Sequence, residues 1–423
     1  MARTLYNCFL YLVFPLFVLR MLTRSLNMPG YRRRFSERFG ILDTTTLKGS
    51  NIIWVHAASV GEVFVATPLI KSLLTNYPKF KLVVTTTTPT SSDLITQAFG
   101  DSVFHVYVPW DLPGSVKRFL NNVEPKLLVL IERELWPNII HQTNFRGCAM
   151  VLVNARLSER SASHYEKFSS IASSMLTSLD IVACQSQEDA HRFISLGLPP
   201  KQIVVTGNMK FDLEVSATLE AERNEFRESS GLTSRFVILA ASTHPGEEKA
   251  ILDSFAKVKK KNENSILILA PRHIERCDDV SKECFSKNWQ LIRYSEKMPI
   301  NTEHDILLVD TMGDLLKLMG VANLAIVGGS FVPHGGHNML EAAVWGVPIL
   351  TGPYTRNFDE IAKLLVSSGA MLQIQPELLS STLLKLIDDK DMSLRMSKAG
   401  KKLMKNNRGS KERTLTLISN LLG

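Results

Sequence analysis

From residue 51 onward, short β-branched and apolar runs alternate with longer stretches whose apolar positions fall three or four apart. That is the pattern of a parallel sheet covered by helices on both faces. In the first half the predicted strands are "NIIWVHA", "KLVVTTT", "VFHVYVP", "KLLVLIE", "AMVLVNA", "DIVACQS" and "QIVVTG". The first predicted helix, "EVFVATPLIKSLLTNYP", puts Ala66, Leu69, Ile70, Leu73 and Leu74 on one face. The acid-rich stretch 217–230 breaks the rhythm, and a second series follows: "RFVILAAS", "SILILAPRH", "DILLVDT", "NLAIVGGS" and "VPILTG". No short repeat is visible, so the pattern predicts two Rossmann-like, doubly wound α/β domains in tandem. The expected boundaries are 27–213 and 214–423. The helical, basic tail of the second domain could pack back on the first.

Residues 1–26 stand apart. The run Leu5 to Leu19, extended past Arg20 by Met21 and Leu22, is close to the ~20 residues that a perpendicular span requires. No small-residue cleavage site follows it, which argues for an uncleaved anchor or in-plane membrane helix over a signal peptide. The arginines after the run, Arg20, Arg24 and Arg32–Arg34, put the body in the cytoplasm by the positive-inside rule.

Charge sharpens that picture. The chain of 423 residues carries a net +8, yet residues 1–40 hold seven Arg and no acid but Glu37, a local +6. The nearly neutral remainder argues against a nucleic-acid partner and for contact with anionic lipid headgroups. The five cysteines are scattered and odd in number, which suits free thiols in a reducing compartment and gives no zinc framework. No metal or cofactor is expected. No G-x-G-x-x-G follows the first strand of either half and no P-loop occurs, which weakens dinucleotide oxidoreductase and NTPase readings. The Asp389-Lys390-Asp391 stretch lies between helical segments and reads as a solvated loop.

In open α/β sheets ligands bind at the carboxyl ends of strands, so the loops there carry the candidate chemistry. In "FVPHGGHNMLEAA", Gly335 and Gly336 let the backbone approach a ligand. The helix starting near Asn338 offers an anion site, with Met339 and Leu340 in its first turn, and Glu341 can accept two ribose hydroxyls. A tight turn with a solvated Glu is the plainer alternative. Pro271-Arg272 end a strand, where Arg272 could fork onto a phosphate or carboxylate or form only a surface ion pair. Met312, Gly313 and Asp314 open another helix; their backbone could read a base edge, and Asp314 is expected to cap the helix. In the first half, "WVHAASVGE" places Glu62 at a helix N-terminus, as a general base or as part of a Ser59–Glu62 capping box. Glu132 and Lys210 each follow a strand and could position an acceptor or stabilise developing charge.

The ordered motifs "YRRRFSERFG", "SVGE", "TTTTPT", "ELWPN", "NARLS", "GNMKFD", "STHPGEE", "PRH", "DTMGDL", "GGSFVPHGGHNMLEAA" and "GPYTRNF" run over nearly the whole chain. They resemble the lipid A Kdo transferases (3-deoxy-D-manno-octulosonic acid transferases). That resemblance implies an inverting GT-B glycosyltransferase with two domains facing a central cleft. CMP-Kdo would be the donor and a lipid A precursor the acceptor, in lipopolysaccharide synthesis. It implies Glu62 as the base, Glu132 and Lys210 as transition-state helpers, and CMP held by Pro271-Arg272, Met312-Gly313-Asp314 and Asn338 to Glu341. Asp314 and Met339 depart mildly from the family, where Glu and Pro are frequent. Another GT-B transferase using a UDP-sugar, or a tethered nucleotide-sugar binding protein without turnover, are the alternatives.

Overall fold

The computed structural model describes residues 2–423, which divide into two compact units: residues 2–212 with 408–423, and residues 213–407. The first unit holds a parallel sheet of β1 (Asn51–His56), β2 (Phe80–Thr86), β3 (Phe104–Tyr107), β4 (Leu127–Ile131), β5 (Ala149–Ala155), β6 (Ile181–Cys184) and β7 (Ile203–Val205). Its order is β3-β2-β1-β4-β5-β6-β7. Along β1, Ile52 and Trp54 pack on one face with Leu128, Leu130 and Phe119, while Ile53 and Val55 pack on the other with Val129, Leu69 and Leu73. A two-residue side-chain period on a sheet buried on both faces explains why these strands read as continuous apolar runs.

In the second unit β8 (Phe236–Thr243), β9 (Ser265–Pro271), β10 (Leu291–Arg293), β11 (Ile306–Leu308), β12 (Leu324–Val327), β13 (Ile349–Thr351) and β14 (Met371–Gln373) form another parallel sheet. Its order is β10-β11-β9-β8-β12-β13-β14. Twelve of the fourteen strands coincide with the apolar runs. The other two, β10 and β14, are three-residue edge strands with side chains only partly buried, too short to stand out from loop sequence. The strand order changes direction between β1 and β4 in the first sheet and between β8 and β12 in the second, which makes each of these pairs a switch point.

The last helix, Ser410–Leu422, belongs to the first unit, where it packs on β5 and the helix Val60–Asn76 and Ile418 joins the apolar core. The preceding basic helix, Lys390–Asn407, stays with the second. The N-terminal segment is a single helix, α1 (Ala2–Asn27), long and apolar enough to cross a membrane. It lies along the first unit. Tyr6 donates to Asp111 Oδ2 at 2.8 Å, Asn138 Nδ2 donates to Asn7 Oδ1 at 2.7 Å, and Phe14 meets Trp110 edge-on at 4.2 Å between ring centroids. The opposite stripe of Leu5, Phe9, Leu12, Leu16 and Leu19 is exposed.

Candidate active site

At the first switch point, β1 ends in His56 and leads through Ala57 and Ala58 into α2 (Val60–Asn76). Glu62, in the first turn of α2, is only 8 % exposed. Its Oε2 accepts from Ala58 N at 2.7 Å and its Oε1 from Ser59 Oγ at 3.0 Å; Ser59 Oγ in turn accepts from Glu62 N at 3.4 Å. The loop is thus a variant of the capping box in which the carboxylate reaches one residue further back than usual. Capping and chemistry are not alternatives here. Burial, joined by the nearby Glu134 carboxylate, pushes Glu62 up to about 7, against the opposing bonds from Ala58 and Ser59 and the His56 ring. A carboxylate with both oxygens already oriented and a pKa near neutrality is poised to take a proton.

β4 supplies the other side of the switch point. Glu132, at φ +58°, meets Lys210 Nζ at 3.1 Å through Oε1, which also accepts from Asn154 Nδ2 at 3.4 Å. Asn154 accepts in turn from Met209 N at 2.9 Å, so the lysine-bearing turn is tied to the end of β5. Sequence reasoning missed two further groups. His56 is fully buried, with Nε2 3.5 Å from Glu134 Oε2, and Trp136 Nε1 donates to the same oxygen at 2.8 Å. Although burial alone would raise it, the His56 and Trp136 contacts hold the Glu134 carboxyl below its ordinary value. A histidine closing an otherwise apolar central strand was the available signal.

In the second unit, parallel order sets the carboxyl ends of β11, β9, β8 and β12 side by side, so the three nucleotide-loop candidates share one edge. Arg272 follows β9, half-buried, and its charge lowers Glu341 while burial raises it more strongly. Asn338 Nδ2 donates to Glu341 Oε1 at 3.0 Å, and Asn338 Oδ1 accepts from Leu340 N at 3.2 Å. Met339 and Leu340 are fully buried, so their side chains belong to the core and do not reach a ligand. The helix they open, Leu340–Trp345, has six residues and contributes little dipole. Gly313 sits at φ +100°, a conformation that favours glycine, and Met312 is 68 % exposed. Asp314 does not cap as expected. Its backbone is already helical, which turns the carboxylate away from the following N–H groups, and it meets Lys317 at 2.9 Å and Thr311 at 3.2 Å instead.

Three loops of this edge also carry histidines. His244 Nε2 lies 2.8 Å from His337 Nε2, and the His334 ring stacks on His244 at 4.1 Å. Burial first, then the surrounding rings and arginines, lowers His244 and His337 to about 4, so both are neutral hydrogen-bonding groups. Glu247 braces the set, accepting from His244 N at 2.8 Å, Gly329 N at 2.8 Å and Phe331 N at 2.9 Å.

Two parallel-sheet units of this topology define a GT-B-like fold. The structure of UDP-GlcNAc 2-epimerase from Neisseria meningitidis bound to UDP-GlcNAc shares the fold, with a TM-score of 0.59 over 87 % of this chain and 100 % of that one at 13 % identity. The chain belongs to the 3-deoxy-D-manno-octulosonic acid transferases. The family model described as 3-Deoxy-D-manno-octulosonic-acid transferase (kdotransferase) matches residues 33–213. The 3-deoxy-D-manno-octulosonic acid transferase of Haemophilus influenzae is 38 % identical over 420 residues, 99 % of this chain and 98 % of its own. That of Bordetella pertussis is 31 % identical over 382 residues, 88 % and 87 % of the two chains.

Proposed function

We propose that this chain moves Kdo from CMP-Kdo to a hydroxyl of a lipid A precursor, with inversion, in lipopolysaccharide inner-core synthesis. The observation that carries the mechanism is Glu62: buried, doubly hydrogen-bonded and held near pKa 7 at the switch point of the first unit. The acceptor O–H gives its proton to the Glu62 carboxylate, and the oxygen attacks the anomeric carbon of Kdo. The bond to the CMP phosphate breaks, and CMP leaves with the electron pair. Glu132 and Lys210 hold the acceptor and balance charge as it develops. In the second unit Arg272 takes the phosphate, Glu341 the ribose, and the Pro271, Met312-Gly313-Asp314 and Asn338–Leu340 backbones the rest of the nucleotide. The exposed stripe of α1 lies in an inner-membrane leaflet rich in anionic lipid, with the body on the cytoplasmic side.

The test is to incubate the purified protein with CMP-Kdo or UDP-sugars and a Kdo-free lipid A precursor, and weigh the product. A Kdo increment with CMP-Kdo alone is expected. Transfer from a UDP-sugar would redirect the donor assignment, and nucleotide binding without product would leave a binding protein.

A further inference from the structure

Between α1 and the loop after β3 lies a groove of about 380 Å³, within the ~300–1,000 Å³ typical of small-ligand sites. Its walls are mostly apolar: Leu10, Phe14 and Phe17 from α1 face Val108, Trp110 and Ile139. Arg20, Arg24 and Arg38 also line it. Arg38 is 3 % exposed; its Nη2 donates to Thr87 O at 2.8 Å, while its Nε has no hydrogen-bond partner. The one carboxylate on the wall is already occupied, since Asp111 accepts from Asn138 N, Ile139 N and the Tyr6 hydroxyl.

Two tethers run from this groove to the base. Thr87, on its wall, donates from N to Ala58 O at 3.2 Å, and Ala58 N holds Glu62 Oε2. Trp136, also on the wall, donates to Glu134, whose charge raises Glu62. An apolar trough with cationic residues, one helix away from an exposed lipid-facing stripe, matches an anionic lipid in chemistry; its tie to Glu62 selects the reacting lipid over bulk membrane.

We propose that this groove receives one acyl chain of the acceptor lipid, with Arg20, Arg24 and Arg38 meeting an anionic group of its head, so that the sugar hydroxyl is brought to Glu62. The inference rests on the transferase reading above and names the acceptor subsite. Moving a chain from bilayer to groove exchanges one apolar medium for another, so the groove acts by positioning more than by affinity.

Full-length protein in mixed micelles is irradiated with an acceptor carrying a diazirine in one acyl chain, and labelled residues are located by mass spectrometry. Label on Phe14, Trp110 or Ile139 that unlabelled acceptor suppresses, and phosphatidylglycerol does not, is the expected result. Label confined to Leu5, Leu12 and Leu16, or equal groove labelling by a phosphatidylglycerol diazirine, overturns it. As a second readout, Leu10→Trp should lower the ratio of kcat/KM for acylated over deacylated acceptor about tenfold. An equal loss for both acceptors, or none, also overturns it. Photolabelling reads occupancy without turnover, so a wild-type protein that transfers to neither acceptor refutes the transferase reading separately.

Discussion

Glu62 is held where burial and the charge of Glu134 both oppose its ionisation, and that opposition has two measurable signs. Activity requires the carboxylate, so kcat/KM should rise with pH through about 7 and then level. Stability runs the other way. A carboxyl raised from 4.5 to about 7 contributes stability that is fully present below 4.5 and lost as pH rises through 7. Glu62→Gln should therefore cut turnover by ~10²–10⁴ yet melt at a higher temperature than wild type at pH 8, an advantage that vanishes by pH 4. Pre-steady-state assays and thermal scans across pH check both; a variant less stable at pH 8 would show that the anion is not strained. In the second unit, Arg272→Ala should weaken CMP binding in a calorimetric titration, because its guanidinium makes no hydrogen bond among the described residues and its charge is left for a ligand. Glu62, Glu132 and Lys210 could be picked out of the sequence as candidates because each follows an apolar run by a few positions. His56, Glu134 and the Glu247 brace were not, because the pairing of His56 with Glu134 and of Glu247 with Gly329 and Phe331 joins segments far apart in the chain.

At the scale of elements, α1 shows what periodicity leaves out. Nearly every position from Leu5 to Leu19 is apolar, so the sequence favours no face, and a membrane helix was all it could announce. The side that meets the first unit is chosen by Tyr6, Asn7, Phe14 and Ser25, whose partners are Asp111, Asn138, Trp110 and Arg32. The basic cluster changes meaning as well. Arg32 donates to Ser25 at 2.7 Å, and Arg34 donates to His105 O at 3.2 Å and lies over the Tyr107 ring, so two of the seven arginines in residues 1–40 bind protein as well as being placed to meet lipid. Removing residues 2–26 therefore does more than release the chain from membranes. It bares Phe35, Phe39 and Trp110, which pack on one another at 5.4–5.9 Å, an apolar patch that invites association. The shortened protein should elute as oligomers or aggregates from gel filtration and bind anionic vesicles weakly and with strong salt sensitivity. A monodisperse monomer would show that α1 covers nothing the body needs covered.

For the whole molecule, the last helix matters more than its position suggests. Asp212 receives Gly409 N and Lys411 N at 2.6 Å each, and Arg413 donates to Thr206 O at 2.8 Å through Nε. Cutting the chain after Asn407 should lower or abolish the melting transition of the first unit in calorimetry while leaving that of the second. The chain leaves the first unit at residue 212 and returns to it at 408, so the second unit is in effect an insertion within the first. On the ribosome the unit begun first is finished last: the second can close while the first still waits for Ile418. A nascent chain thus carries an unsealed first core through the synthesis of nearly 200 further residues, with α1 already free to reach the bilayer. Damage at the carboxyl terminus should accordingly be felt as loss of the amino-terminal half.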